Sequence, residues 1–366
     1  MKKKILFCIF DLNGGGAEKV LVNLLRALNP SKYEITLFAI FGVGPNLKSL
    51  PDYVRFKCVF RRQFRGFTTL MKLFSPKMLH RIFIKDFYDI EIAYLETSPT
   101  RIISGAPNGV KKVCWVHTEE ESKNAFVSTY RSYHEFSDCY NKYDHIAFVS
   151  QKALELFVKN HPEITVPKSV IYNVNLNREI LQKAIEPLPE ALPEKINICT
   201  VGRLCRLKGY MRLLEIVNRL NTDGLTEIFN LYILGKGEEY EMLRVYVDEH
   251  RLSNVYLLGF QSNPYKYVSK MDLFVCSSYK EGYSTAVTES IILKVPVITT
   301  DVSGMDEILQ DGKYGLIVPN DTDALYDGML QMISHPERIQ FYKDELKRQS
   351  NQQDRVKQYE EFLDTL

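Results

Sequence analysis

A chain of 366 residues exceeds the usual size of one core, so two domains of roughly 150 to 200 residues, with a cleft between them, are expected. Its 47 basic and 45 acidic side chains nearly balance, so bulk charge names no partner, and 45% hydrophobic with 25% charged residues is an ordinary globular composition. Seven cysteines, an odd number without a CxxC pair or metal-ligand spacing, argue against a disulfide framework and favour reduced, buried thiols in a cytoplasmic protein.

In chain order, the basic start Met1–Lys4 precedes an apolar run, Ile5–Phe10, that Asp11 ends too early for a signal core. No later stretch approaches the roughly 18 apolar residues of a membrane span, so a protein neither exported nor integral is expected. Ile5–Phe10 reads as a strand running into a glycine-rich turn and a helix, where Gly14, Gly15 and Gly16 let backbone amides approach a ligand. Lys19 stands where a dinucleotide fingerprint needs its last glycine. Ile35–Phe41, Glu91–Tyr94, Val113–His117 and Ile146–Val149 continue as strands separated by helical lengths, the grammar of a parallel sheet. Between the second and third strands, Tyr53–Lys85 has nine basic residues and no acidic one, interleaved with phenylalanines. Arg61, Arg62, Arg65, Phe64 and Phe67 are the candidate contacts there for an anionic membrane surface. The alternative is that the rings are core and the charges merely solvated.

Glu186–Glu194 holds three prolines and reads as a linker, with the boundary between Tyr172 and Glu194. Ile196–Val201, Leu231–Leu234, Val255–Leu258, Leu273–Cys276, Val297–Thr299 and Leu316–Val318 then restart the strand grammar as a second Rossmann-like unit. The expected division is 1–175, 176–340 and a helical tail, 341–366.

Ligands of open parallel sheets bind beyond the carboxyl ends of the strands, where the polar motifs of the second half fall. Glu281 follows the strand Leu273–Cys276, Gly282 permits a tight turn, and Ser284 or Thr285 is placed to cap a helix carrying Glu289. Free amides between two carboxylates suit a glycosyl diphosphate, the acids accepting from sugar hydroxyls. Arg203 and Lys208, in the loop after Ile196–Val201, are placed to neutralise the diphosphate. His117 ends a first-half strand, a position compatible with either a structural histidine or a site residue.

These motifs resemble the GT-B fold, retaining glycosyltransferases of family four, typified by bacterial cell-surface polysaccharide enzymes. The matching landmarks are Glu281 and Glu289, Val201–Gly209, Leu234–Glu239, Leu258–Phe260 and Ser303–Pro319, with Gly15–Glu18 and the WVH segment at Trp115–His117 in the first half. The resemblance implies an α/β protein with two Rossmann-like domains facing across a cleft and a C-terminal helix crossing back to the first. It implies that Arg203 and Lys208 hold the diphosphate, Glu281 the donor sugar and Glu289 the ribose, with Gly15, Gly16, Gly282, Ser284 and Thr285 around the donor and His117 near the anomeric centre. Two positions depart from the family pattern, Ser290 for the usual alanine and Met305 for the usual glycine.

The expected function is transfer of a hexosyl or N-acetylhexosaminyl group, with retention, from a nucleotide sugar, in the first place a UDP sugar. The expected acceptor is a glycan or a polyprenyl-diphosphate-linked oligosaccharide at the inner face of the cell membrane. No metal, cofactor or nucleic acid is expected. A glycoside hydrolase using the two glutamates, a nucleotide-sugar epimerase and an inactive assembly scaffold are the rival readings; the hydrolase gives Arg203 and Lys208 no role, and intact Glu281, Arg203 and Lys208 argue against the scaffold.

Overall fold

The computed structural model describes residues 2–13, 15–119, 122–124, 126–349 and 355–366, so Gly14 of the glycine-rich turn lies outside the described residues. The chain forms two compact units, Met1–Asn175 together with Gln353–Leu366, and Leu176–Gln352.

In the first unit, β1 (Lys3–Ile9), β2 (Tyr33–Phe41), β3 (Arg55–Phe60), β4 (Ile90–Ala93), β5 (Lys111–Val116), β6 (His145–Phe148) and β7 (Lys168–Val170) form a parallel sheet ordered β3-β2-β1-β4-β5-β6-β7. Ile5 through Ile9 are all buried, as expected of a strand covered on both faces, which therefore reads as a continuous apolar run. β3 and β7 are additional to the expected strands. β3 takes up the start of the basic segment: its alternation of Arg55, Phe56, Lys57 and Cys58 is that of an edge strand pairing with Thr36–Ala39 of β2.

In the second unit, β8 (Ile196–Val201), β9 (Phe229–Leu234), β10 (Val255–Gly259), β11 (Leu273–Cys276), β12 (Val297–Thr300) and β13 (Gly315–Val318) form a parallel sheet ordered β10-β9-β8-β11-β12-β13. The winding repeats that of the first unit: the first strand is central and the order reverses between it and the fourth. Both sheets thus have a doubly wound switch point, at β1/β4 and at β8/β11. The fold is α/β, with two Rossmann-like units.

The tail divides. Helix Pro336–Arg348 lies in the second unit, with Tyr342 and Leu346 buried, whereas helix Arg355–Thr365 packs on the first. There the Tyr359 ring stacks on Trp115 at 4.6 Å and 8°, and Phe362 meets the same indole edge-on at 5.8 Å. Lys3 Nζ donates to Leu363 O at 2.9 Å, Lys32 pairs with Glu360 at 2.9 Å, and Tyr33 Oη donates to Asp364 at 2.8 Å.

All seven cysteines are free, and all but Cys58 are buried. Burial pushes the thiols of Cys8 and Cys199 up, Cys114 to about 12 and Cys139 to about 11, which makes them poor nucleophiles.

Candidate functional site

Two loops meet at the β8/β11 switch point of the second unit. The first follows β8 and ends in Gly209, which adopts φ +67°. A Cβ there would lie 2.0 Å from the carbonyl oxygen of Ser277 in the second loop, so only glycine permits the approach. Across this contact Lys208 Nζ lies 2.6 and 2.8 Å from the two carboxylate oxygens of Glu281, and Ser278 Oγ donates to Oε1 at 2.7 Å. Burial opposes the charge on Lys208, but Glu281 outweighs it and holds the pKa above the ordinary value. Lys208 is therefore an ammonium held against both oxygens of the Glu281 carboxyl group.

Beyond Glu281 the chain turns through the buried Gly282 into helix Thr285–Ile292, with Ser284 as its cap. Ser284 Oγ accepts from the Val287 amide at 3.3 Å, and the amides of Thr285 and Ala286 have no hydrogen-bond partner among the described residues. Glu289 lies on the second turn, is buried, and accepts from the Tyr265 hydroxyl at 3.3 Å. Arg203 is exposed, and no hydrogen bond or ion pair among the described residues engages it. The second unit thus brings Lys208 onto Glu281, with Ser284, Thr285 and Glu289 on the helix that follows and Arg203 in the loop after β8.

The sequence reading missed what holds this loop. Arg212 is buried at 2% exposure on helix Tyr210–Thr222. Its Nε and Nη2 donate to Ser277 O at 2.9 and 2.6 Å, and Nη2 also donates to Ser278 O at 2.8 Å and Asn320 Oδ1 at 3.0 Å. Its guanidinium also lies over the Tyr279 ring, 3.9 Å from the centroid, while Thr300 Oγ1 donates to Ser278 O at 2.7 Å. One signal was present in the sequence: Arg212 stands in line with Ile216 and Leu220 at intervals of four, on a stripe that is buried. Both departures from the family pattern also have a structural place. Ser290 Oγ donates to Val295 O at 3.1 Å, and Met305 is fully buried after the left-handed Gly304.

In the first unit, Gly15 caps helix Gly16–Ala27 at φ −80° with no side-chain cap. His117 follows β5 directly. Its amide donates to Glu96 Oε2 at 3.2 Å, its ring lies 4.6 Å from that of Tyr94, and its Nε2 has no hydrogen-bond partner among the described residues. Burial pushes its pKa down to about 3, so the imidazole is neutral at pH 7.

The basic segment needs correction. Phe67 is buried at 2% exposure and packs with Phe10, Phe41, Phe60 and Phe64 at centroid distances of 5.1 to 6.0 Å, because these rings close the core over the ends of β1, β2 and β3. It is not an exposed membrane contact. Arg55 and Lys57 pair with Asp86, whereas Arg61, Arg62, Arg65 and Phe64 remain exposed.

The family profile described as Glycosyltransferase Family 4 matches residues 14–174, and that described as Glycosyl transferases group 1 matches residues 183–352. The chain is 29% identical over 365 residues, 97% of each chain, to the N-acetylgalactosamine-N,N'-diacetylbacillosaminyl-diphospho-undecaprenol 4-alpha-N-acetylgalactosaminyltransferase of Campylobacter jejuni subsp. jejuni. Among solved structures it superposes on HepE of Anabaena in complex with UDP at a TM-score of 0.73, with 16% identity and 100% of both chains covered. Sucrose-phosphate synthase of Thermosynechococcus elongatus gives 0.74 at 16% identity, covering 100% of this chain and 99% of that one. With one profile on each Rossmann-like unit and the GT-B fold throughout, the chain belongs to the GT-B glycosyltransferases of family 4, group 1 type.

Proposed function

We propose that the chain transfers a sugar, with retention of configuration, from a UDP sugar to a lipid-diphosphate-linked glycan in polysaccharide or lipid-linked glycan assembly. The observation that carries this reading is the bidentate contact of Lys208 on Glu281 at the β8/β11 switch point. A carboxylate held by an ammonium and the Ser278 hydroxyl is an acceptor for sugar hydroxyls; it is neither a free nucleophile nor a proton donor, which weighs against the hydrolase. The diphosphate is received by Arg203, Lys208 and the amides of Thr285 and Ala286, and Glu289 takes the ribose. These fixed charges offset the leaving-group charge, so no metal is required. Neutral His117 hydrogen-bonds the donor sugar through Nε2. UDP is favoured because HepE is described bound to it, and a polyprenyl-linked acceptor because the Campylobacter relative is named for one. Retention, the hexosyl or N-acetylhexosaminyl identity of the group, and a position at the inner membrane face belong to the same proposal, with Arg61, Arg62 and Arg65 drawn to anionic lipid.

The test is a panel of nucleotide sugars incubated with a polyprenyl-diphosphate-linked disaccharide. Acceptor-dependent release of UDP with an α-linked product from an α-donor is expected. UDP release or sugar isomerisation without acceptor points to an epimerase, and cleavage of an aryl glycoside without nucleotide sugar to a hydrolase. Replacing Arg61, Arg62 and Arg65 by Glu is expected to release the protein from anionic vesicles; unchanged co-sedimentation removes the membrane part.

A further inference from the structure

Resting on that membrane reading, the structure also points to how the bilayer is gripped. Large apolar side chains stand exposed within the acid-free segment: Leu70, Leu73 at 72% exposure, Met78, and Ile82 at 45%. On helix Pro76–Phe83, Leu79 and His80 turn inward, while Met78 and Ile82, one turn apart, face outward beside Lys77 and Arg81, also one turn apart. The fold uses none of these four apolar groups for its core, and Lys72, Lys77, Arg81 and Lys85 are interleaved with them.

The backbone beneath is tied down. Arg101, 1% exposed and paired with Glu135 at 2.8 Å, donates to Met71 O at 2.8 Å and Phe74 O at 2.7 Å. Arg131 donates to Lys72 O and, at 2.9 Å, to Leu73 O. Two guanidiniums thus donate to four consecutive carbonyls, Met71 to Phe74; Met71 O also accepts from the Phe74 amide at 3.2 Å, whereas Lys72, Leu73 and Phe74 O lie beyond the helix Phe67–Met71. Leaving water costs an unpaired carbonyl several kcal/mol, roughly the penalty that confines lipid contact to satisfied backbone. Leu73 is therefore presented on a backbone already prepared for a dry environment.

We propose that Leu70, Leu73, Met78 and Ile82 insert into the interfacial layer of an anionic phospholipid bilayer, with Lys72, Lys77, Arg81 and Lys85 at headgroup level. A second copy is the poorer occupant, because a two-fold contact through this face would set its basic residues against themselves.

Vesicles of equal parts phosphatidylglycerol and phosphatidylcholine test this by co-sedimentation of the full chain. Wild type is expected to keep part of its binding at raised salt, because apolar insertion is not screened. Leu73→Asp with Ile82→Asp is expected to lose at least about tenfold in partitioning and all salt-resistant binding. Both substitutions are at exposed sites, and emission from the buried Trp115 checks that the first unit is folded. Wild-type partitioning by the double variant overturns the proposal, even where Arg61→Glu, Arg62→Glu and Arg65→Glu together release the protein and the membrane reading stands. Absence of wild-type binding to any anionic vesicle overturns both. A double variant that turns a dimer into a monomer in light scattering overturns the proposal in favour of a second copy.

Discussion

The two units share one winding and use it differently. In the second, the switch-point loops carry charged side chains, and the segment Ser277–Glu281 is fixed through its backbone by Arg212, Asn320 and Thr300. In the first, His117, which follows β5 beside the switch-point strand β4, is neutral and buried, and an arginine-to-carbonyl clamp holds the segment Met71–Phe74 that carries Leu73. The same device, a guanidinium bonded to loop carbonyls, thus serves the loop that carries Glu281 in one unit and an exposed apolar edge in the other. A doubly wound sheet dictates where a ligand site falls; loop chemistry decides which ligand.

The sharpest break in the comparison comes from Tyr359→Ala. Removing the ring stacked on Trp115 is expected to destabilise the first unit by roughly 3–5 kcal/mol, read by Trp115 fluorescence in denaturant. UDP affinity by calorimetry is expected to stay at the wild-type value; a parallel loss would mean that the units do not act separately. Next, Glu281→Gln is expected to lower the transfer rate by roughly 10²- to 10³-fold without weakening UDP, since Lys208 is released toward the diphosphate. Equal losses in rate and UDP affinity would instead place Glu281 on the nucleotide.

Arg212→Met strips donors from Ser277 O and Ser278 O and is expected to cost on the order of 3 kcal/mol of stability in the second unit. It should also raise the donor KM, with Arg212→Lys recovering part of both. A stable variant with unchanged KM would reduce Arg212 to a packing residue. The smallest effect concerns pH. His117, pushed down to about 3 from an ordinary 6.5, stays neutral in the folded unit where the unfolded chain takes up a proton. Its contribution is complete above pH 6.5 and is lost as pH falls toward 3, by about 2 kcal/mol at pH 5. His117→Gln should flatten this slope in acid titrations of stability, and an unchanged slope would assign it to other groups.

Reading the second unit from sequence was straightforward because its motifs are local. Glu281, Gly282, Ser284 and Glu289 fall within nine residues, and a strand, a turn and a capped helix are enough to bring them together. β3 was harder, since Arg55–Cys58 alternates charged and apolar residues in an edge strand, a pattern that also suits a membrane surface. Phe64 and Phe67 stand three residues apart in the same basic segment; only the fold exposes one and buries the other under Phe10 and Phe41. Arg212 lay unnoticed inside an apolar helix because its partners, Ser277, Ser278 and Asn320, are more than sixty residues away.

By itself, the sequence determined the two α/β units, the order of their site motifs and the residue types available for a diphosphate, because strand grammar, glycine turns and helix caps act over short distances. Tertiary structure alone decided that Lys208 sits on Glu281, that Ser290 and Met305 serve structural ends, and that Leu73 stands out while Phe67 turns in. Those outcomes depend on which distant carbonyl or ring each side chain meets once the strands are wound, and no local pattern encodes that.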